Sequence, residues 1–370
     1  TYRTREYCVQ YRETGFRFVS RLMEQEGIYY FFRHENGRHV LVLVDSPSAH
    51  ESCPGCEEIS SQYSGTPVSD REYIGEWLIE TRIQPGSCSL NAFDFENTKK
   101  DLNTRAKVPR EHYAADFEVY DYSADYVETS DGESYARRRI EELHSQFEVA
   151  TATSDARGLC TGGTFRLVDH PRKDQNRPWL VVGASYTISQ GEFTSGEAVG
   201  ECVYSCSLTA IDAGTPFRAQ RVTPKPTIPG PQTAMVVGPA SEEIHTDRYG
   251  RVKVQFHWDR YGKADQNSSC WIRVAQVWAG RQWGAIYTPR VGQEVIVECL
   301  EGDPDHPIIT GRVYNGQAMP SYDLPGNKTI STLKSNTTKN GAGFNEIRFE
   351  DKKGDEQIFI HAEKDEDIRV

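Results

Sequence analysis

From Thr14 onward the apolar positions Phe16, Val19 and Met23, with Phe18 and Leu22 beside them, recur at helical spacing, and Gly27 supplies a C-terminal stop. Two β-rich runs follow, Ile28-Tyr29-Tyr30-Phe31-Phe32 and Val40-Leu41-Val42-Leu43-Val44, on either side of Asn36-Gly37. That arrangement is a strong hairpin signal. Both runs are apolar on both faces, which predicts a hairpin buried in a sheet or barrel. Further strands are predicted over 76–83 and 93–95, then a helix over 134–149. That helix would place Ile140, Leu143 and Phe147 on one face and leave Arg137, Arg138, Glu141 and Glu142 to solvent. Strand patterns resume over 162–168, 179–189 and 201–208. Strands outnumber helices and no βαβ alternation appears, so the pattern is mainly β with inserted helices.

The pattern then breaks at Pro224, Pro226, Pro229 and Pro231. Prolines remove backbone donors and favour an extended connector, so residues 223–231 read as a linker. Beyond it Val252, Val254, Phe256 and Trp258 alternate strictly with polar residues. Strands are also predicted over 271–278, 294–300 and 308–314. Short strands with Gly and Pro turns at this spacing predict a small closed barrel of the OB type over 232–320. The last stretch, 321–370, begins with a polar connector that includes the run Asn336–Gly341. It ends in three short alternating segments, 346–350, 357–361 and 367–370, set about ten residues apart. Each is too short to bury its apolar pair alone; repeats of this kind are stable only when stacked or wound with other chains.

Composition narrows the function classes. The chain has 370 residues and a formal net charge of -12, which argues against a generic polyanion binder. No apolar run approaches the roughly 20 residues needed to span a bilayer as a helix. Nine cysteines over this length do not make a dense disulfide scaffold. Cys53-Pro-Gly-Cys56 is a lone C-x-x-C and Cys202-Val-Tyr-Ser-Cys206 has looser spacing, so a four-thiolate zinc site is unforced. Ordinary thiols, with Cys53 and Cys56 on a turn, are the simpler reading.

The motifs of common chemistry are missing: no phosphate-binding glycine loop, no serine elbow, no zinc helix. Glu301-Gly-Asp303-Pro-Asp305-His306-Pro307 gathers three carboxylates and an imidazole, yet lacks the sixth-position glycine and distal glutamate of a calcium loop, and reads as a tight turn. The aromatic set Trp258, Tyr261, Trp271, Trp278, Trp283 and Tyr287 could stack bases or sugars. Between 231 and 320, however, nine Lys or Arg stand against ten Asp or Glu, whereas a single-strand groove is normally basic. The aromatics read instead as core or as a contact surface for another subunit. No catalytic residue, cofactor or metal site is expected.

Four segments together resemble the type VI secretion spike protein family, the valine–glycine repeat proteins G (VgrG). They are Tyr7-Cys-Val-Gln-Tyr-Arg-Glu-Thr-Gly-Phe with its continuation to Phe32, His245-Thr-Asp-Arg-Tyr-Gly-Arg through Asp259, Glu301-Gly-Asp-Pro-Asp-His-Pro through Asn315, and Asn345-Glu-Ile-Arg-Phe-Glu-Asp-Lys-Lys-Gly354. The resemblance implies an architecture like the tailed-phage central spike. A hub domain of barrel-like halves with inserted helices would span 1–222, its first barrel incomplete at the N-terminus. The linker 223–231, an OB domain over 232–320, and a connector with the first repeats of a triple-stranded β-helix over 321–370 would follow.

It also implies a function: a non-enzymatic homotrimer at the tip of a secreted tube, piercing the target envelope and carrying effectors. Ile347, Phe349, Ile358, Ile360, Ile368 and Val370 would form the axial trimer core. The expected partners are the tube protein, baseplate, a tip-capping protein and effectors, with transient contact to the target membrane and none to nucleic acid. The protein would assemble in the bacterial cytoplasm and then be secreted. The alternative is an OB module for oligosaccharide or single-stranded nucleic acid, using Trp258, Trp271 and Trp283.

Overall fold

The computed structural model describes residues 2–62, 71–109, 111–113, 115–122, 125–189, 203–339 and 341–370. Cys202 and Asn340 therefore lie outside the described residues. The chain divides into two compact units, one of Thr1–Arg3 with Glu13–Pro224, the other of Thr4–Arg12 with Lys225–Val370. Among the described residues no helix is long and apolar enough to cross a membrane.

In the first unit, helix α1 (Gly15–Glu26) opens where the Thr14 hydroxyl accepts from the Arg17 N–H at 3.2 Å, and closes on Gly27 at φ 70°. Strands β1 (Tyr29–Glu35) and β2 (Arg38–Val44) pair from Tyr29↔Val44 to Glu35↔Arg38, with Gly37 at φ 79° in the turn. Tyr29, Phe31, Val42 and Val44 pack with Phe217 and Ala219. The other face corrects the expectation of a hairpin buried on both sides: Phe32, Leu41 and Leu43 are exposed, because β1 and β2 form a two-stranded sheet of their own. Phe16 and Val19 of α1 are exposed as well, whereas Arg21 is buried, ion-paired to Glu13 at 2.9 Å and set over the Phe18 ring.

The rest of this unit comprises β3 (Glu58–Ser61), β4 (Tyr73–Ile74), β5 (Leu78–Thr81), β6 (Ser87–Asn91), β7 (Thr104–Lys107), β8 (Glu118–Tyr122), α2 (Thr129–His144), β9 (Glu148–Ser154), β10 (Thr164–Val168), β11 (Pro178–Ser189) and β12 (Val203–Asp212). Seven strands run in the order β12-β11-β10-β3-β4-β9-β5, and β12 also pairs with β9, closing six of them into a barrel. Ile59, Ile74, Phe165, Leu167, Trp179 and Val181 fill it. A three-stranded sheet, β7-β6-β8, is covered by α2 through Cys88, Leu90, Tyr126, Tyr135 and Ile140.

Three expectations need correction here. Residues 92–95 carry no strand; the strand is β6, where buried Ser87 and Ser89 hide the apolar alternation of Cys88 and Leu90. The second helix runs over Thr129–His144, so Phe147 lies beyond it and Val149 belongs to β9. Glu142 faces inward and pairs with Arg139 and, at 3.7 Å, with Arg221, while Arg138 is half-buried and pairs with Glu26 at 2.7 Å.

The second unit holds β13 (Gln232–Val237), β14 (Lys253–Phe256), β15 (Arg273–Val274), β16 (Ala279–Gly280), β17 (Trp283–Gly284), β18 (Glu294–Cys299) and β19 (Pro307–Val313). Five of them form a sheet in the order β14-β13-β18-β19-β15. Its two edges meet through reciprocal hydrogen bonds between Val252 and Ile272, at 3.0 and 2.8 Å, so the sheet closes as an OB barrel with no free edge there. The pattern from Ala234 through Val254, Phe256, Val295 and Val297 to Ile309 supplies the core. β13, which begins within the proline-rich stretch's shadow at Gln232, was not among the predicted strands, and only Arg273–Val274 of the predicted strand over 271–278 is one.

The chain ends in a sheet of β20 (Ile330–Lys334), β21 (Glu346–Glu350) and β22 (Gln357–His361), antiparallel throughout. β20 replaces part of the expected polar connector. Residues 367–370 carry no strand.

Candidate trimerisation surface

The terminal sheet sorts its residues by the period of two that every strand imposes. The register sets Leu333 against Ile347 and Ile347 against Ile360, with Ser331, Phe349 and Ile358 beside them on the same face. The other face carries Thr332, Lys334, Glu346, Arg348, Phe359 and His361. In a monomeric sheet the apolar face would be the covered one. Here the arrangement is reversed.

The polar face is the one the chain covers. Glu346 is 3% exposed, and its carboxylate accepts from the Tyr322 hydroxyl at 2.6 Å and the Thr332 hydroxyl at 2.7 Å. Arg348 donates to the Tyr322 oxygen at 3.0 Å and to Gln357 at 2.8 Å, and its guanidinium lies over the Phe359 ring. Lys334 approaches Glu346 at 4.0 Å and sits over Phe344, which in turn stacks on His361. Burial pushes the Glu346 carboxyl up, but the Tyr322 and Thr332 hydrogen bonds, with Lys334 and Arg348 nearby, outweigh it and hold the group below the ordinary carboxylate range.

The apolar face is bare. Ile347 and Phe349 are each 44% exposed, Leu333 61%, Ile360 57% and Ile358 70%. Of the six residues expected in an axial core, the sheet brings Ile347, Phe349, Ile358 and Ile360 together. Ile368 and Val370 are also exposed but belong to no strand. Leu333 joins the face and is not among the expected core residues: it stands alone between Thr332 and Lys334, and Ile330, three positions away, falls on the opposite face.

Two other clusters resolve as structure. The 301–307 segment is a turn, with Glu301 at φ 54° and Gly302 at φ 77°. Its carboxylates hold a cation from the chain itself: the Lys225 ammonium lies 2.6 Å from Asp303 and 2.8 Å from Asp305, and Asp305 also accepts from the Val9 N–H at 2.7 Å. The proline-rich stretch is thereby tied down, with Ile228 buried and its N–H donating to the Gly302 carbonyl at 2.8 Å.

The aromatics of the OB barrel are mostly not core. Tyr261, Trp278, Trp283 and Tyr287 are exposed, because Val, Ile and Phe fill the small barrel. Trp258 stacks on Phe256 and donates its indole N–H to Gln232, Trp271 packs with His245 and Lys253, and Trp283 meets Trp278 edge to face at 5.3 Å. The three tryptophans of the oligosaccharide or nucleic-acid alternative thus have three different sets of neighbours.

Comparison with known proteins bears on each part of the chain. Residues 1–192 match the phage tail baseplate hub (GPD) family, residues 234–314 the type VI secretion system/phage-baseplate injector OB domain, and residues 331–370 the bacteriophage T4 gp5 C-terminal trimerisation domain. The Pseudomonas aeruginosa type VI secretion system spike protein VgrG1c is 53% identical over 100% of this chain and 51% of its own length; VgrG1a of the same organism is 52% identical, over 58% of its length. The Vibrio cholerae actin cross-linking toxin VgrG1 is 38% identical over 98% of this chain and 33% of its own. The chain thus spans about half the length of the Pseudomonas relatives.

Among solved structures, an Escherichia coli component of the type VI secretion system, described as similar to the T4 tail proteins gp27 and gp5, shares the fold. Its TM-score is 0.51 at 18% identity, over 82% of this chain and 62% of that one. The hub, OB and trimerisation segments stand in one order along a chain this similar to spike proteins. The chain belongs to the phage tail baseplate hub family and, within it, to the VgrG spike proteins of type VI secretion systems.

Proposed function

We propose that this chain is one subunit of a homotrimeric spike, and that the bare face of the terminal sheet is where the three copies meet. The observation that carries the reading is the inversion of that sheet: a polar face centred on the buried, hydrogen-bonded Glu346, and an exposed row of Leu333, Ile347, Phe349, Ile358 and Ile360. Its location within the segment similar to a trimerisation domain supports the same conclusion. Burying five half-exposed side chains per copy contributes roughly 1 kcal/mol each, on the order of 15 kcal/mol for three copies. Ile368 and Val370 extend the same core.

The function of such an assembly is mechanical. A trimer with its sheets packed face to face transmits axial load without chemistry, and no catalysis is assigned to this chain. In this reading the spike is assembled in the cytoplasm, sits on the secreted tube, meets baseplate, tip-capping and effector proteins, and is driven out against the target envelope. Light scattering on the full-length protein tests the oligomer. A concentration-independent mass of three subunits, each 41.9 kDa over this chain, is expected; a monomer at every concentration would overturn the proposal.

A further inference from the structure

Two tight turns of the six-stranded barrel bring cysteines together from points 107 residues apart. The first, Cys53-Pro54-Gly55-Cys56, closes with the Cys56 N–H donating to the Cys53 carbonyl at 3.0 Å and Gly55 at φ 73°. The second, residues 160–163, closes with the Gly163 N–H donating to the Cys160 carbonyl at 3.1 Å and Gly162 at φ 87°. Backbone pairing holds the turns side by side. The Cys53 N–H donates to the Thr164 carbonyl at 2.8 Å, the Thr164 N–H donates to the Glu51 carbonyl at 2.9 Å, and Ser52 bridges Thr164.

The sulfurs border one small space. A Cβ on Gly163 would lie 2.4 Å from the Cys53 sulfur and 3.2 Å from the Cys160 sulfur. Cys53 is fully buried, and Cys160 is exposed. Cys56 is engaged elsewhere, 3.8 Å from the Glu72 carboxylate. Among the described residues, these cysteines do not form a set of three ligands close enough to hold a metal ion. The Cys53 thiol donates to the Cys160 carbonyl oxygen at 4.0 Å. Its closeness to the Cys160 side chain brings the Cys160 thiol down to about 7 against its burial, with Arg33 adding to the pull, while the same contact and burial push Cys53 up. Cys160 is therefore the attacking thiolate of the pair.

We infer that Cys53 and Cys160 are a redox pair that closes to an intramolecular disulfide when the protein meets a disulfide oxidant. The Cys160 thiolate attacks one sulfur of the oxidant, the oxidant's S–S bond breaks, and its first thiolate leaves and takes up a proton. Cys53 then gives its proton to solvent and attacks the Cys160 sulfur, forming the Cys53–Cys160 bond and expelling the second thiolate. Two protein thiols are oxidised and one disulfide of the oxidant is reduced. The product staples the approach to β3 onto the approach to β10. This goes beyond the spike reading and does not depend on it.

The test is thiol mapping of the folded full-length protein after treatment with oxidised glutathione, blocking of residual thiols, proteolysis without reductant and mass spectrometry. The expected product is a peptide pair joining Cys53 to Cys160, reversed by dithiothreitol, with a melting temperature roughly 10 °C above the reduced form for a loop of this length. Cys160→Ser, at an exposed position, should abolish both the linkage and the rise, and Cys56→Ser should keep both. A Cys53–Cys56 linkage, glutathione left on Cys160 with Cys53 unmodified, or no loss of thiols would each overturn the inference, and each is read on the unsubstituted protein.

Discussion

The OB barrel and the terminal sheet are built from the same kind of strand, and they end in opposite states. In β13, β14 and β18 the apolar residues of the alternation turn inward, the sheet closes through Val252 and Ile272, and Val254 and Val295 are fully buried. In β21 the alternation is as regular, and β20 and β22 bring Leu333, Ile358 and Ile360 to the same face, but three short strands cannot close on themselves. The chain covers the polar side with Tyr322 and Phe344 and leaves the apolar side to solvent. The difference teaches that alternation predicts a strand with two unlike faces; whether the apolar face is satisfied within the chain or between chains depends on whether the sheet can close.

The sharpest way to break the comparison is to place a charge on each apolar face in turn. Val254→Asp puts an unpaired carboxylate in the barrel core, and should cost about 4 kcal/mol or more, read as loss of the barrel's cooperative melting transition. Ile358→Asp places the same charge on the open sheet. It should leave each subunit's folding within about 0.5 kcal/mol while abolishing the threefold mass in light scattering. If both substitutions unfold the subunit equally, the open face is not an assembly surface.

The polar side gives a smaller effect. Glu346→Ala removes the acceptor of the Tyr322 hydroxyl and the nearer of the two acceptors of Thr332, and should cost about 2 kcal/mol, seen as faster hydrogen exchange in β20–β22 and unchanged exchange in the barrel. The same group gives the sheet a pH dependence. Its folded pKa is depressed, so its contribution is fully present above the ordinary carboxylate range and is lost as the pH falls through and below that range. Exchange of the sheet measured from neutral pH downward should accelerate on the acid side only, and Glu346→Gln should flatten that change. The smallest effect is expected at Trp283→Ala. The ring is exposed, so folding should shift by no more than about 0.5 kcal/mol. A larger loss of folding would return the aromatics to the core, and weakened binding of an oligosaccharide or single-stranded nucleic acid would revive the alternative reading.

Much of the site was legible because period and turn chemistry are local. Thr14 and Gly27 marked both ends of α1, Asn36-Gly37 marked the hairpin, and Ile347 and Phe349, Ile358 and Ile360 announced themselves as pairs. What escaped was residue-specific partnering. Ser87 and Ser89 fall outside the predicted strands because serine is not a strand former, yet they are buried in β6. Glu142 reads as surface because charged residues almost always are, yet it is buried, as are Arg21 and Glu346, each with a partner of opposite charge or a donor that completes it. Leu333 was missed because its strand lies in a polar neighbourhood and is recognisable only once β21 pairs with it.

By itself the sequence determined the mainly-β class, the alternation of the strands, the turns that separate them and, through long ordered matches, the spike family. Tertiary structure decided which face of each strand is covered, that Lys225 fills the Asp303 and Asp305 turn, and that Cys53 and Cys160 meet across 107 residues. The physical reason is that dihedral preferences and side-chain period act over a few residues. Closure, burial and charge pairing depend instead on which distant segments the completed sheets bring within reach.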